Sequence, residues 1–348
     1  MAFAMRLLQV NFPARRRRLD TVRVRVDPLG TYDDHELRQR FRFDRASLHY
    51  ILREINTVTD DLQPESTQDS ALSPMMQLCA ALSFYGHGDH QLMTGDTLNI
   101  SQTSISRCVD KVTNALCLLA PRHIRFPHGA RANEIMESFF NDFNIPNVVG
   151  LIDCTHVKIQ KPSENQEVFI NRKGHCTINC QIVCDDLYII TNIVARWPGS
   201  THDSRILRAS QLHDEFENGE HRGILLGDSG YPNLDWCITP ILRPRNRADA
   251  RFNRAHRSCR CQIERLNGIL KRRFSCLHGG NLRFNQAKCC RVLIACAVLH
   301  NIAMRRRVEL DLDSSDESSS SDGDTSDAEE EDIRNLNRRD RIIRRYFE

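Results

Sequence analysis

The chain has no run of about 18 consecutive apolar residues, so we expect no membrane-spanning helix. Its first ten residues contain an apolar stretch that is too short and wrongly flanked for a secretory signal. No internal repeat is visible. Without a secretory signal, the 14 cysteines are expected to be reduced thiols of a nuclear or cytoplasmic protein. At 348 residues, the chain is long enough for one large domain or two moderate ones with a substantial core.

The cysteines also lack the paired spacing of a zinc finger. One cluster comprises His175, Cys176, Cys180 and Cys184. Its cysteines alternate with other residues, which indicates the inward face of a β-strand. A second cluster, Cys259 and Cys261, has no second ligand pair. We interpret both clusters as core residues, with zinc binding as the alternative.

Acidic charge is concentrated in one place. Residues 309–332 contain 12 acidic residues and no basic ones. Outside that segment, 48 basic residues oppose 33 acidic ones, a net charge of +15 instead of the overall +3. A basic body of this kind indicates a polyanionic partner, with simple solubility as the alternative. The acidic segment itself has too little apolar surface to offset the entropy of ordering, and we expect it to be disordered.

The composition changes along the chain predict five regions. These are a basic flexible arm over 1–30, a helical domain over 31–146, an α/β domain over 147–308, the acidic segment over 309–332 and a basic C-terminal segment over 333–348. The arm contains Arg15–Arg18, a candidate nuclear import signal together with Arg305–Arg307, with contact to DNA or solvent as the alternative. The last region carries Ile342, Ile343 and Phe347 among arginines, a pattern that favours a short docking helix.

Helix starts are visible in the second region. Asp44, Ser73 before Pro74, and Ser101 are predicted N-caps. The helix after Ser101 has polar residues off its apolar stripe that suit a recognition helix: Gln102, Ser106, Arg107 and Lys111. With a preceding helix and the LMTGDTLNI turn (92–100), they would complete a helix-turn-helix. A plain helical bundle packed on the next domain is the alternative.

Residues rich in β-branched side chains follow from 147 onwards. The predicted strands are VVGLID (148–153), HVKIQ (156–160), CTINCQIVCD (176–185), YIITNIVARW (188–197) and ILLGD (224–228). Two helical patterns follow, over 258–273 and 286–304.

Carboxylates mark two of these strand ends. Asp153 ends VVGLID and Asp228 ends ILLGD, although burying an unpaired charge is costly. Glu264 lies on a helix whose apolar face is elsewhere, and 35 residues separate it from Asp228. These positions indicate a shared cation, with helix capping and a solvated helix surface as the alternatives. Mg²⁺ or Mn²⁺ is the expected ion, because such hard ions prefer oxygen ligands. Two ions about 4 Å apart suit phosphodiester cleavage, since they can activate water and stabilise the leaving oxygen.

The surrounding residues identify a family. Asp153, Asp228 and Glu264 resemble the DDE triad of the RNase H-like transposases. The chain is similar to the PIF/Harbinger transposases, most closely to the branch of animal nucleases derived from Harbinger. The similar segments are GLIDCTHVKI (150–159), NRKGHCTIN (171–179), WPGSTHDSRIL (197–207), LLGDSGYP (225–232), IERLNGILKRRF (263–274) and VLHNI (298–302). These six segments occur in order along the chain, and the similarity as a whole extends from about Asp34 to Met304.

The resemblance implies an RNase H-like mixed sheet with helices on both faces, preceded by the helix-turn-helix-like domain. It also implies that Asp203, on the helix after the third strand, is a fourth metal ligand; capping of that helix is the alternative. Arg260 and Lys271 match an Arg-x3-Glu-x6-Lys signature of related bacterial transposases. That signature has a tyrosine where this chain has Arg257, which leaves the handling of the DNA strands open. We also expect phosphate contacts from Arg172 and Lys173, with solvated loop charges as the alternative. The run Lys271, Arg272 and Arg273 continues along the helix of Glu264 and is the stronger candidate for such contacts.

The resulting prediction is a Mg²⁺- or Mn²⁺-dependent DNA endonuclease. One alternative is a catalytically silent DNA-binding or interaction protein of domesticated origin, and another is the active transposase of a mobile element. The resemblance implies a Myb/SANT-like DNA-binding partner protein and admits a homo-oligomer. We expect a nuclear and cytoplasmic location and no membrane association.

Overall fold

The computed structural model describes residues 25–63, 71–88, 91–279, 282–309 and 338–348. The predictions for the Arg15–Arg18 run and for the acidic segment therefore lie outside the described residues, apart from Glu309. They stay predictions.

The first part of the chain is helical. Its helices are α1 (Pro28–Thr31), α2 (Asp34–Phe41), α3 (Arg45–Asn56), α4 (Pro74–His87), α5 (Gln91–Leu98), α6 (Gln102–His123) and α7 (Gly129–Phe143). The predicted caps are confirmed: Asp44, Ser73 and Ser101 each accept a hydrogen bond from a backbone N–H in the first turn that follows. These bonds satisfy amide donors that have no partner within the helix.

The prediction of a turn over LMTGDTLNI is wrong for most of its length, because residues 91–98 form α5. Only Asn99, Ile100 and Ser101 connect α5 to α6, and Asn99 adopts the left-handed conformation at φ 58°. Gly95 makes this short connection possible. A Cβ at that position would lie 2.6 Å from the Ile100 carbonyl oxygen, so any side chain would clash. Its glycine had suggested a turn, but here the residue lies in a helix and lets the following connection pack closely against it.

The sheet has five strands in the order β3-β2-β1-β4-β5. They are β1 (Val148–Lys158), β2 (Thr177–Cys184), β3 (Ile190–Pro198), β4 (Ile224–Leu226) and β5 (Cys237–Ile238). Antiparallel pairing joins β1, β2 and β3, whereas β1, β4 and β5 are parallel. The mixed sheet is thus confirmed. The prediction of two strands over 148–160 is wrong, because pairing with β2 continues without a break from Leu151 to Lys158.

Helices cover both faces of this sheet. On one face, Leu151 and Ile182 pack with α10 (Arg247–Arg273) and α11 (Gln286–Arg305). On the other, Ile152 and Val183 pack with α8 (Asp203–Arg208) and α9 (Gln211–Glu217). Each fully buried aliphatic side chain contributes roughly 1.5–3 kcal/mol to stability. The N-terminal helices share the first core, since α6 packs on α11. A domain boundary near 147 therefore stays a prediction.

The helix over 258–273 begins earlier than predicted, at Arg247. Its added turns bury Phe252 and His256 but are otherwise rich in arginine, which hid the apolar stripe. The strand β5 was missed because it has only two residues. The helix predicted over 286–304 is confirmed as α11.

Within the described part of the chain, α11 is the helix that is long and apolar enough to cross a membrane. Most of it is buried in the fold. Its Asn301 side chain accepts a hydrogen bond from the Ile190 amide and donates to the carbonyls of Ile190 and His123. These contacts join α11 to β3 and to the end of α6. The helix therefore belongs to the core, between the sheet and the N-terminal helices.

The cysteine interpretation is confirmed for Cys180, Cys184 and Cys259, which are buried. It is wrong for Cys261, which is exposed because it lies on the outer face of α10. The predicted C-terminal docking helix is confirmed as α12 (Arg338–Tyr346), whose Ile342 and Ile343 are buried.

Candidate active site

Strand register places two of the four acids side by side. Leu151 of β1 pairs with Leu226 of β4 in the parallel part of the sheet. Asp153 and Asp228 both lie two residues further on, so they stand at the same height and on the same face. Neighbouring strands are spaced about 4.8 Å apart across a sheet, so the two residues are adjacent. Asp153 is not at a strand end as predicted, because β1 runs on to Lys158. The strand that ends here is β4, at Leu226, and its end leaves space beside Asp153.

Asp203 reaches the same place from the other face of the sheet. It is the first residue of α8, and the Asn179 side-chain amide donates to its Oδ1 at 3.0 Å. Asp228 Oδ1 accepts a hydrogen bond from the Gly230 amide at 3.0 Å. A Cβ on Gly230 would lie 3.2 Å from Asp228 Oδ1 and 3.4 Å from Asp203 Oδ2. The absence of a side chain at Gly230 therefore lets the two carboxylates approach each other.

Glu264 is brought to the cluster by α10, together with two polar neighbours on that helix. Arg260 places Nη2 at 3.1 Å from Asp153 Oδ1 and Nη1 at 3.9 Å from Glu264 Oε1. The Asn267 side-chain amide donates to Asp153 Oδ2 at 2.9 Å. Both oxygens of Asp153 are thus held by α10, and its orientation is fixed by two independent contacts.

The carboxylates lie near one another, and their charges affect the pKa values of Asp153 and Asp228. Burial raises the pKa of Asp153 to about 7, Arg260 opposes this rise, and the charges of the other three acids add to it. The pKa of Asp228 is also raised, first by burial; Arg260 lowers it, and Asp203 and Glu264 raise it further. One guanidinium therefore does not balance the four acids, and the cluster carries excess negative charge.

This donor set fits a hard divalent cation, because all four side chains are carboxylates and a cation would relieve their repulsion. The side-chain oxygens of Asn179 and Asn267 are also buried beside Asp203 and Asp153 without a hydrogen-bond donor. Within the described ranges, the structure has no group of three or more acidic, histidine or cysteine side chains that is close enough together to hold a metal ion. Arg260 lies between Asp153 and Glu264 and contacts both carboxylates.

Cationic side chains lie at the rim of the cluster. Lys271 Nζ donates to the His156 carbonyl at 3.0 Å. Arg172 Nη2 lies 3.2 Å from His202 Nδ1, on the residue before Asp203. Burial lowers the pKa of His156; Asp203 raises it, and Lys271, Lys173 and Arg172 lower it, so all four lie near its imidazole.

The structure therefore brings the predicted Arg172, Lys173, Arg260 and Lys271 to the acids. Our sequence reasoning missed His156 and His202. Both lie within the family-like segments, three residues after Asp153 and one before Asp203. That proximity to the acids was the available signal.

The basic residues at the end of α10 differ in their exposure. Arg272 is exposed at the end of α10. Its neighbour Arg273 does not continue a surface run: it is buried, and it donates to the Val308 carbonyl at 3.0 Å.

The recognition-helix residues Gln102, Ser106, Arg107 and Lys111 lie on α6, which packs against α3, α4, α5 and α11. Lys111 Nζ donates to the Asp61 carbonyl at 2.8 Å. A role in DNA binding for these four stays a prediction.

A cavity of about 520 Å³ lies away from the acids. Phe216, His221 and Trp236 line it, next to Gly223 at the start of β4. Asp228 follows the other end of that strand, so the cavity is not part of the acidic site.

Comparison with known proteins identifies the family. A family model described as "DDE superfamily endonuclease" matches residues 152–301, a range that includes all four acids. The mouse protein named "Putative nuclease HARBI1" is 36% identical over 280 residues, 79% of each chain. Its human counterpart is 35% identical over 81% of each chain. The Arabidopsis thaliana "Protein ALP1-like" is 25% identical over 78% of this chain and 71% of its own length. No solved structure matches the chain.

Proposed function

Because this chain belongs to the Harbinger transposase-derived nucleases, a branch of the DDE superfamily endonucleases, we propose that it is a divalent-metal-dependent DNA endonuclease. The observation that carries the proposal is that Asp153, Asp203, Asp228 and Glu264 come from four separate elements and lie near enough for the charges of the other three to act on Asp153. The pKa of Asp153, about 7, reflects the proximity of the other three acids as well as burial. Such an arrangement is costly to folding without a cation, so a function in binding one accounts for it.

Asp153 and Asp228 would hold the metal from neighbouring strands, and Asp203 and Glu264 would complete its shell. Mg²⁺ or Mn²⁺, when bound, would activate water and stabilise the charge that develops on the phosphodiester. Asn267 orients Asp153, and Asn179 orients Asp203, through the hydrogen bonds described above. Partners of this kind keep ligands in position and raise metal affinity.

The rim cations would bind the phosphates on either side of the cleaved bond. Lys271 and Arg172 approach His156 from two different elements, so a phosphate between them would be contacted from two sides. Arg260, freed from Asp153 when a cation binds, would provide a third contact. These groups position the DNA strand without reading its sequence.

Gly268 provides a path for that strand. It lies one turn after Glu264 in the interior of α10, where glycine costs about 1 kcal/mol relative to alanine. A Cβ at Gly268 would meet no atom within 4 Å, so no packing inside the protein requires glycine there. We attribute the missing side chain to close approach of the DNA backbone.

A plasmid-nicking assay with Mg²⁺, with Mn²⁺ and with a chelator tests the proposal. The wild-type protein should nick DNA with either metal and not with chelator. Asp153→Asn, Asp228→Asn and Glu264→Gln should each lower the rate at least about a hundredfold. Asp214→Asn is the matched control, since Asp214 is an exposed acid on α9. Equal loss in the control, or nicking by Asp228→Asn at the wild-type rate, would show that the site is wrong.

A catalytically silent DNA-binding protein is the second candidate. The position of Arg260 favours it, because this residue partly neutralises the acids without a metal. DNA binding without metal-dependent nicking by the wild-type protein would select it. Terminal inverted repeats beside the gene would instead indicate an active mobile element.

The remaining parts of the proposal concern the protein's surroundings. We propose a nuclear and cytoplasmic protein that acts with a Myb/SANT-like DNA-binding partner, as a monomer or homo-oligomer. Co-purification of such a partner from nuclear extract, compared with a variant lacking residues 1–24, would test the association.

A further inference from the structure

One ring nitrogen of His156 is held by a buried threonine. His156 lies on β1, and its Nδ1 is 3.0 Å from the hydroxyl of Thr177 on β2. Thr177 is completely buried, whereas His156 keeps an accessible surface. The backbone at Gly199 also covers the hydroxyl, since a Cβ added there would overlap its oxygen. Within the described residues, Nε2 of His156 has no hydrogen-bond partner, so it is the ring nitrogen that can bind another molecule.

The threonine also determines which ring nitrogen carries the proton. A buried hydroxyl group donates its proton to an acceptor, because an unsatisfied buried donor is costly. In the described part of the chain, His156 Nδ1 is the hydrogen-bond partner of the Thr177 hydroxyl. Nδ1 therefore accepts, and the proton of the neutral ring is on Nε2. In this form Nε2 has no lone pair for a metal ion, but Nε2–H can donate to an anion.

Strand pairing places the ring close to the acidic site. His156 is paired with Asn179 of β2, so the two side chains are neighbours on the same face of the sheet. Asn179 in turn donates to Asp203 at 3.0 Å. Along β1, His156 lies about 10 Å from Asp153. Successive phosphates of one DNA strand advance about 3.4 Å along the duplex, so a phosphate at His156 would lie a few nucleotides from the one at Asp153.

The edge of β1 at His156 can be approached by a ligand. Because β4 ends before this level, β2 is the described strand that pairs with β1 here. Lys271 Nζ donates to the His156 carbonyl at 3.0 Å, and Arg172 and Lys173 lie near enough for their charges to act on the ring. Asp203 is the acid that acts on it, and a bound metal would offset the charge of that acid. The surroundings of Nε2 therefore suit an anion.

We propose that His156 Nε2–H donates a hydrogen bond to a phosphate of the DNA strand near the cleaved bond, and that Thr177 positions the ring for this contact. The inference rests on the proposed function for its substrate. A metal ligand is the rival role for a histidine near four acids, but the proton on Nε2 is incompatible with it. The neighbouring cations attract the strand from several directions, whereas a fixed neutral donor requires a phosphate oxygen at one place. His156 would thus set the register of the strand in the site.

The test measures the binding of a fluorescent 20-base-pair duplex by the full chain, in chelator and at several salt concentrations. His156→Phe removes the donor, and we expect affinity to fall about tenfold at every salt concentration. The slope of log affinity against log salt should stay unchanged, because a neutral donor displaces no counterion. Lys271→Met should instead reduce the slope by about 0.9, since it removes a charged contact.

Three further variants separate the hydrogen bonds from a general effect on the fold. His156→Gln carries an amide donor in place of Nε2–H and should recover most of the affinity. Thr177→Val removes the hydroxyl at nearly constant volume and should weaken binding about as much as His156→Phe, whereas Thr177→Ser should bind like the wild type. His49→Phe is the matched control, because His49 is an exposed histidine on α3, and its affinity should stay unchanged.

Unchanged DNA binding by His156→Phe would overturn the proposal, as would an equal loss in His49→Phe. Titration with Mn²⁺ in the absence of DNA tests the rival role: weaker Mn²⁺ binding by His156→Phe would make His156 a metal ligand and refute the inference. Failure of the wild type to bind the duplex would refute the proposed substrate, and this inference with it. Because no cleavage occurs in chelator, a protein that binds DNA but does not nick it would leave the expected result intact.

Discussion

Replacing Gly268 by alanine should stabilise the protein and impair it at the same time. Alanine favours a helix interior over glycine by about 0.8–1.0 kcal/mol. The new Cβ would have no atom within 4 Å, so no clash would reduce that gain. We therefore expect the free energy of unfolding to rise by about 0.5–1 kcal/mol. If the DNA backbone lies against Gly268, the added methyl group should lower the nicking rate, and leucine at this position should lower it further.

Urea denaturation and plasmid nicking would be measured on the same preparations. Asn114→Ala is the control, since Asn114 is exposed in the middle of α6 and alanine is also the better helix former there. That variant should gain stability and keep its nicking rate. Normal nicking by both Gly268→Ala and Gly268→Leu would refute the reasoning, as would a loss of stability in Gly268→Ala.

Three further predictions concern the acids, the acidic segment and the location. In metal-free buffer, stability should fall as pH rises from about 4 to 7, because Asp153 has a pKa raised from 3.8 to about 7 and the folded state binds its proton more tightly than the unfolded state. Mn²⁺ at pH 8 should then raise the Tm of the wild type and not that of Asp153→Asn; equal Tm shifts would contradict this. Deleting residues 309–332 should tighten non-specific DNA binding and steepen its salt dependence, because their 12 acidic residues no longer compete with phosphate; an unchanged slope would exclude this. Replacing Arg15–Arg18 by alanine should move a fluorescent fusion towards the cytoplasm, because the basic run would no longer bind an import receptor; an unchanged nuclear signal would contradict its role in import.

The import prediction changes with the structure. Arg305 donates to the His123 carbonyl at 3.0 Å, and Arg306 Nε donates to the Ser47 hydroxyl at 2.8 Å. Substituting Arg305–Arg307 would therefore disturb packing between α11 and the N-terminal helices. Only the N-terminal run is suitable for that experiment.

The sequence predicted the sheet well where its strands are long and rich in β-branched residues, as in β2 and β3. It failed where tertiary contacts decide. The pairing of β1 with β2 continues through Asp153, so the predicted strand end was instead the end of β4. Gly95 had suggested a turn, but it lies in α5 and permits close approach of the Ile100 carbonyl from the connection that follows.

In the candidate site, too, the features visible in the local sequence were predicted and those set by tertiary contacts were not. Asp153 and Asp228 were predicted because carboxylates after apolar strands are unusual, and Glu264 because it lies off the apolar face of its helix. Asp203 was predicted only through the family resemblance. Arg260 was expected to contact DNA, but its contact with both Asp153 and Glu264 depends on how α10 crosses the sheet. His156 was missed because a single histidine on a strand has no distinctive pattern. The burial of Arg273 was equally hidden, since it follows two other basic residues.

The most direct test of the central claim changes the metal preference of the site. Cysteine at position 228 would replace a hard oxygen ligand with a soft sulfur ligand, which Mg²⁺ accepts poorly and Mn²⁺ accepts more readily. For Asp228→Cys, we predict that the ratio of the nicking rate with Mn²⁺ to the rate with Mg²⁺ rises at least about tenfold above the wild-type ratio. A ratio equal to that of the wild type, or nicking with Mg²⁺ at the wild-type rate, would contradict the assignment of Asp228 as a metal ligand.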